Sequence, residues 1–224
     1  MMLTVDGAAR LVVPEGCHST QEPSLNALAN AAGDMMDSWQ RQINRIALAS
    51  TDDGMWAARN VVMSIPRQTG KTYDVEWIAI HRAATIPRIR IVWTAQHFSV
   101  LHDTFEDMCS RAARPEMSTL VDPEHGFSLA AGKEEIRFRN GSRIFFRARE
   151  RGALRGFKNI GLLVIDEAQI LSDAAKASML PTQNRAWNPQ TFYMGTPPGP
   201  RDMGESFTRQ RTQALAGRAH SVLY

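Results

Sequence analysis

Three short groups of residues along this chain carry side chains suited to phosphate chemistry. The first is Gly70-Lys71-Thr72. A lysine ammonium in that setting can meet phosphate oxygens, and the neighbouring threonine hydroxyl can hold Mg²⁺. The second is Asp166-Glu167, about 95 residues further on. One carboxylate of such a pair can hold Mg²⁺ through its water shell, while the other orients or deprotonates an attacking water. An Asp-Glu pair after a strand is also good helix-capping chemistry, so its meaning depends on the lysine group. The third is Gly195-Thr196, where a threonine hydroxyl beside the metal could sense a γ-phosphate. The Pro197-Pro198 turn that follows explains the prolines but not the threonine.

Each group sits at the end of a segment that reads as a strand. Asn60 to Ile65 is a short apolar run, and Pro66 to Thr72 is a turn-like loop. From Tyr73 to Arg82, Val75, Ile78 and Ala79 recur at helical spacing. Strand, loop, Gly-Lys-Thr and helix is the plan of a phosphate-binding P-loop. In that plan Gln68, Thr69, Gly70, Lys71 and Thr72 face the nucleotide, with main-chain N–H groups and a helix N-terminus directed at the phosphates. The usual pattern begins with a glycine. Here Ile65 holds that place and Arg67 lies inside the loop. Ile160 to Ile165 is a buried-strand run leading into Asp166, and Gln190 to Met194 is another leading into Gly195. In an open parallel sheet such strand ends are where ligands bind.

The remaining elements fit the same plan. Asp34 to Ala49 has Met35, Trp39, Ile43 and Ile46 at helical spacing. Within it, the Gln40 amide could pair with an adenine edge, or Gln40 could be a surface residue beside a core tryptophan. Arg88 to Thr94 reads as a strand, Ser99 to Arg111 as a helix, and Asp173 to Leu180 as a short helix. Alternating strands and helices imply a mainly parallel sheet with right-handed crossovers. Glu135 to Arg147 reads as a β-hairpin with Asn140-Gly141 at its turn. The expected organisation is a partly ordered leader over 1–33, an α/β domain over 34–204, and a helix and strand start over 205–224.

Composition narrows the class. The 224 residues suffice for one large domain, and a 43% hydrophobic content is ordinary for a globular chain. No apolar run approaches the ~18 residues that span a bilayer, and no signal core precedes the domain, so neither membrane insertion nor secretion is expected. Cys17 and Cys109 suggest no disulfide framework and a reducing cytosol. Net charge is only +3. Between Arg137 and Lys158, however, eight basic residues stand against Glu150 alone. That run could meet a phosphate backbone or form a solvated sheet face.

Together these groups resemble the ATPase domain of the large terminase subunit of tailed bacteriophages. Ser64 to Thr72 is similar to that family's deviant Walker A motif, Leu162 to Ala168 to its Walker B with catalytic glutamate, Gly195-Thr196-Pro197 to its coupling motif, and Trp39-Gln40 to its adenine-binding motif. Asn140-Gly141-Ser142 and Leu154-Arg155-Gly156-Phe157 also match its pattern. The resemblance spans roughly residues 35–200 and implies a P-loop NTPase fold of the ASCE/RecA-like kind. It further implies ATP and Mg²⁺ as cofactors, double-stranded DNA as the translocated partner, a homo-oligomeric ring, and small-subunit and portal partners in the host cytoplasm. Glu167 would be catalytic, and Arg67 in cis or Arg155 in trans would be the arginine finger. For Arg155 a DNA-phosphate contact or a plain surface charge is the alternative. The family's nuclease carboxylates would lie beyond Tyr224, so ATPase activity without nuclease activity is expected. Asp-Glu-Ala-Gln also resembles helicase motif II, which leaves a helicase-like DNA-dependent ATPase as an alternative. A nucleotide-binding scaffold without turnover is a third.

Overall fold

Apolar strands with both faces covered form the centre of the molecule. A computed structural model of the chain describes residues 5–8, 10–149, 154, 156–199, 204–216 and 222–223. In chain order the strands are β1 (Ser19–Thr20), β2 (Ala49–Ser50), β3 (Asn60–Ser64), β4 (Arg90–Thr94), β5 (Phe127–Ser128), β6 (Glu135–Arg137), β7 (Arg143–Phe146), β8 (Ile160–Ile165), β9 (Gln190–Gly195) and β10 (Val222–Leu223). The helices are α1 (Glu22–Ala31), α2 (Ser38–Ala47), α3 (Lys71–Thr85), α4 (Phe98–Ala112), α5 (Asp173–Met179) and α6 (Glu205–Leu215). Eight strands make one sheet in the order β10-β3-β9-β8-β4-β7-β6-β5. The pairings from β10 to β7 are parallel, and β6 and β5 are added antiparallel. This is the expected mainly parallel α/β architecture, with the hairpin built into the same sheet.

The alternation along β8 shows why both faces must be covered. Leu162 and Val164 join a core with Leu25 of α1, Ile43 of α2, Trp77 of α3 and Phe105 of α4. Ile160, Leu163 and Ile165 join a second core with Met179 of α5 and Phe207 and Ala214 of α6. A strand buried on both sides reads as a continuous hydrophobic run, the pattern that Ile160 to Ile165 carries. The hairpin turn serves two elements at once. Gly141 takes φ +84°, which a glycine adopts without steric cost, and the Asn140 amide donates to the carbonyls of Ala83 and Ala84 near the end of α3.

Three boundaries differ from the sequence pattern. The helix expected from Asp34 begins at Ser38, and Met35 is 84% exposed rather than on the apolar stripe. Asp34 is held instead as an anchor, accepting from Trp77 Nε1 at 3.0 Å and from Arg114 at 2.7 Å. Asp37 then caps α2 in a box with Gln40. The strand expected from Arg88 begins at Arg90, because Arg88 turns through φ +59°. Residues 19–31, expected within a leader, pack on the domain. Leu25 and Ala29 are fully buried, β1 pairs with β2, and Glu22 forms ion pairs with Arg41 and Arg45.

Candidate active site

The strand order decides which chemistry-bearing residues meet. β3, β9 and β8 lie side by side in parallel, with Ser64 opposite Gly195 and Tyr193 opposite Ile165. Their C-terminal ends therefore share one edge, where the chain leaves β3 into the Gly70-Lys71-Thr72 loop, β9 into Thr196, and β8 into Asp166-Glu167. Adjacent strands are about 4.8 Å apart, so β3 and β8 end about 10 Å apart on either side of the strand that leads into Thr196.

The loop is held in shape by its own groups and by α2. Gln68 and Gly70 take φ +61° and +87°, and the Thr69 hydroxyl donates to Pro66 O at 3.0 Å. Gly70 is the N-cap of α3. The Gln40 amide, which could pair with an adenine edge or lie at the surface, is engaged by the main chain on both sides. It is buried, accepts from Asp37 N at 2.8 Å and donates to Gly70 O at 3.0 Å. Both ends are engaged because Gln40 is the third residue of α2 and completes its capping box. Gln40 thus braces the Gln68–Thr72 loop. The φ of +87° favours glycine at position 70, where a Cβ would also come within 3.0 Å of Gln40 Nε2.

Lys71 is partly buried and sits within the fields of Asp166 and Glu167. Burial lowers its pKa and Arg67 lowers it further, against the pull of the two carboxylates. Asp166 is buried at the end of β8. Its N–H continues the sheet to Thr94 O at 2.8 Å, and its Oδ1 accepts from Glu167 N at 2.8 Å. Burial raises its pKa, offset by that hydrogen bond and by Lys71. Glu167 takes φ +50°, uncommon for a residue with a side chain. Its Oε2 is buried and has no hydrogen-bond partner among the described residues. A buried carboxylate oxygen without a donor is a group that a bound water would satisfy. Thr196 donates its N–H to Gln169 Oε1 at 3.3 Å, which joins the β9 end to the loop after Glu167. Beside the phosphate loop lies a cavity of about 450 Å³ walled by Trp39, Ile65, Pro66, Thr69, Pro197 and Leu215.

Of the two expected finger candidates, Arg67 is exposed on the loop. Arg155 lies outside the described residues. Four arginines of the basic run have structural partners among the described residues. Glu135 pairs with Arg137 and Arg143, Arg147 donates to Glu134 O at 2.9 Å, and Arg139 donates to Val121 O at 3.1 Å. The Glu135 carboxylate, just upstream of the run, and several main-chain carbonyls engage these arginines, and the bare charge count omitted them. Spacing also gave no sign of Arg149, whose guanidinium donates to the main-chain carbonyls of Asp166 and Glu167.

With this geometry in view, likeness to known structures is informative. The large terminase of bacteriophage HK97 superposes with a TM-score of 0.74 at 16% identity, over 92% of this chain and 43% of that one. The chain shares the fold of that part of the HK97 large terminase. The large terminase of the thermophilic bacteriophage D6E in complex with ADP matches at TM-score 0.53 and 11% identity, covering 92% of this chain and 44% of that one. A Saccharomyces cerevisiae dbp5 variant bound to gle1 and ip6 matches at 0.50 and 14%, covering 93% and 53%. The chain thus spans less than half the length of the terminases whose fold it shares. No protein-family model and no curated protein sequence matches it. Among the described residues no helix is long and apolar enough to cross a membrane, and no group of three or more His, Cys, Asp or Glu side chains forms a metal cluster.

Proposed function

We propose that this chain is a Mg²⁺-dependent ATPase domain that powers the movement of double-stranded DNA into a viral procapsid. One observation carries the reading: the phosphate loop, Thr196 and a carboxylate pair with a buried, unpartnered Glu167 oxygen converge on one sheet edge. The main-chain N–H groups from Gln68 to Thr72 and the Lys71 ammonium bind the β- and γ-phosphates of ATP. Thr72 and Asp166 hold Mg²⁺, which offsets negative charge on the phosphate oxygens. Glu167 orients the attacking water and accepts its proton. Thr196 lies beside the γ-phosphate and, through Gln169, ties its loss to the loop after β8 and to α6. The base occupies the cavity beside Trp39, and Gln40 holds the loop from behind. Arg67 from the same loop, or Arg155 from a neighbouring subunit, supplies positive charge to the transferring phosphoryl group, worth about 10³–10⁵ in rate. A homo-oligomeric ring, a small terminase subunit and a portal protein in the host cytoplasm complete the machine.

A helicase-like DNA-dependent ATPase is the second reading, favoured by the dbp5 likeness and by Asp166-Glu167-Ala168-Gln169. Phosphate release with and without duplex DNA, run beside a strand-displacement assay, separates the two. DNA stimulation without unwinding supports the motor and unwinding supports the helicase. Silence in both refutes turnover and leaves a nucleotide-binding scaffold. Within the motor reading, Lys71→Ala loses nucleotide binding, whereas Glu167→Ala keeps binding and loses hydrolysis by at least about a hundredfold. Hydrolysis by Glu167→Ala at the wild-type rate overturns the catalytic assignment.

A further inference from the structure

We infer that Arg149 is a positioning residue for hydrolysis, holding the main chain of Asp166 and Glu167 in the conformation that aims the Glu167 carboxylate. The inference rests on the ATPase reading above. Arg149 follows β7 at the same edge of the sheet as the carboxylates. Its own N–H donates to Ala95 O at 2.9 Å, which extends the β7–β4 pairing past Arg147 and the Trp93 carbonyl. Its guanidinium then crosses the end of β4. One terminal nitrogen donates to Asp166 O and the other to Glu167 O at 3.3 Å, while Nε lies 3.5 Å from Gln96 Oε1. One side chain therefore staples the ends of β7, β4 and β8.

The need for a staple is visible in Glu167. A residue with a side chain in the left-handed region is strained and persists only where its surroundings over-determine it. At φ +50° Glu167 is in that region at the point where the chain leaves β8. The Asp166 and Glu167 carbonyls both lie past the end of β8, and Glu167 O also accepts from Ile170 N at 3.1 Å. A planar fork with two parallel donors satisfies both at once, which a lysine ammonium on a flexible stem does not. Burial lowers the Arg149 pKa to about 10, so the group stays charged at neutral pH beside Asp166 and Glu167. Each terminal nitrogen thus gives one N–H to a main-chain oxygen beside the carboxylates, which fixes the plane of the guanidinium.

The test uses the full chain as Arg149→Gln and Arg149→Lys, with Arg149→Ala added where it remains folded by thermal melting. Expected are a fall in kcat of about 10–100-fold for Arg149→Gln, as for partners that orient metal-holding carboxylates, and a smaller fall for Arg149→Lys. KM and the Kd of a fluorescent ADP analogue stay within about twofold, because the phosphate loop is untouched. The salt dependence of duplex binding stays that of wild type. Amide hydrogen exchange over residues 166–170 quickens, while α3 and β3 exchange as before. An unchanged kcat, a loss confined to KM, or weakened DNA binding at normal basal turnover would overturn the assignment. The exchange measurement needs no turnover. If wild type proves inactive, the ATPase reading falls by itself. Unchanged exchange at 166–170 then overturns the role of Arg149, and faster exchange upholds the staple.

Discussion

Gly204→Ala replaces a glycine that space, not backbone conformation, requires. Gly204 caps α6 with φ −78°, a value any residue accepts. An added Cβ, however, would lie 2.0 Å from Gln169 O, 2.4 Å from Gln169 C and 2.9 Å from Ala168 O. All three are main-chain atoms, so no side chain can swing aside. Restoring a separation above 3 Å requires the start of α6 to move about 1 Å from the loop after β8. Phe207, one turn into α6 and fully buried, would lose its close packing on the sheet. Overpacking of this kind costs about 1–3 kcal/mol or more, and a chain of 224 residues loses about 2–4 °C of Tm per kcal/mol. The expected drop is therefore about 2–12 °C. Displacing Gln169 also loosens its contact with Thr196 N, so ATP turnover should fall more than ADP affinity. Melting curves, turnover and ADP titration are compared with Gly132→Ala. Position 132 has open space around its Cβ but φ +74°, and strain alone there should cost roughly 1 kcal/mol. A Gly204→Ala protein that melts within 1 °C of wild type would show that α6 does not press on the Gln169 main chain.

Asp74 is fully buried, and burial raises its pKa to about 8 against the hydrogen bond from Asn44. The folded state keeps this proton where the unfolded chain has lost it, so stability is fully present below about pH 4 and lost as pH rises through about 8. Asp74→Asn should flatten that decline, and urea melts at pH 5 and pH 8 with equal slopes for variant and wild type would reject the reasoning. At the opposite end of the sheet, Gln190 accepts from the buried Arg82 and donates to Ala47 O and Ala58 O at 2.8 and 2.6 Å. Gln190→Ala leaves that guanidinium with its stacking on Trp56, 3.9 Å from the ring centroid, and without its acceptor, and should destabilise by about 3–5 kcal/mol in a denaturant titration. A loss under 1 kcal/mol would mean that water or a rearranged neighbour satisfies Arg82.

Local signals made much of this protein legible from its residues. Ile160 to Ile165 is apolar at nearly every position because both faces of β8 are covered, and it forms a strand over that span. Asn140-Gly141 specifies a tight turn through its own backbone preferences, wherever the hairpin docks. Gly70-Lys71-Thr72 opens α3 because a glycine can take the left-handed N-cap and the next residues are free to start a helix. Only the fold decided what these pieces do together. The order β3-β9-β8 brings Lys71, Thr196 and Asp166-Glu167 to one edge, and no spacing along the chain encodes which strands become neighbours. Gln40 in isolation could be a base contact or a surface residue, and the fold shows it bonded to Gly70, 30 residues away. Arg149 reads as one of eight similar charges until the strand ends place it 18 residues from the Glu167 carbonyl it holds. The Gln169–Thr196 contact spans 27 residues. Backbone propensity and periodicity act over a few residues, whereas these hydrogen bonds exist only once loop closure has placed distant strand ends a few ångströms apart.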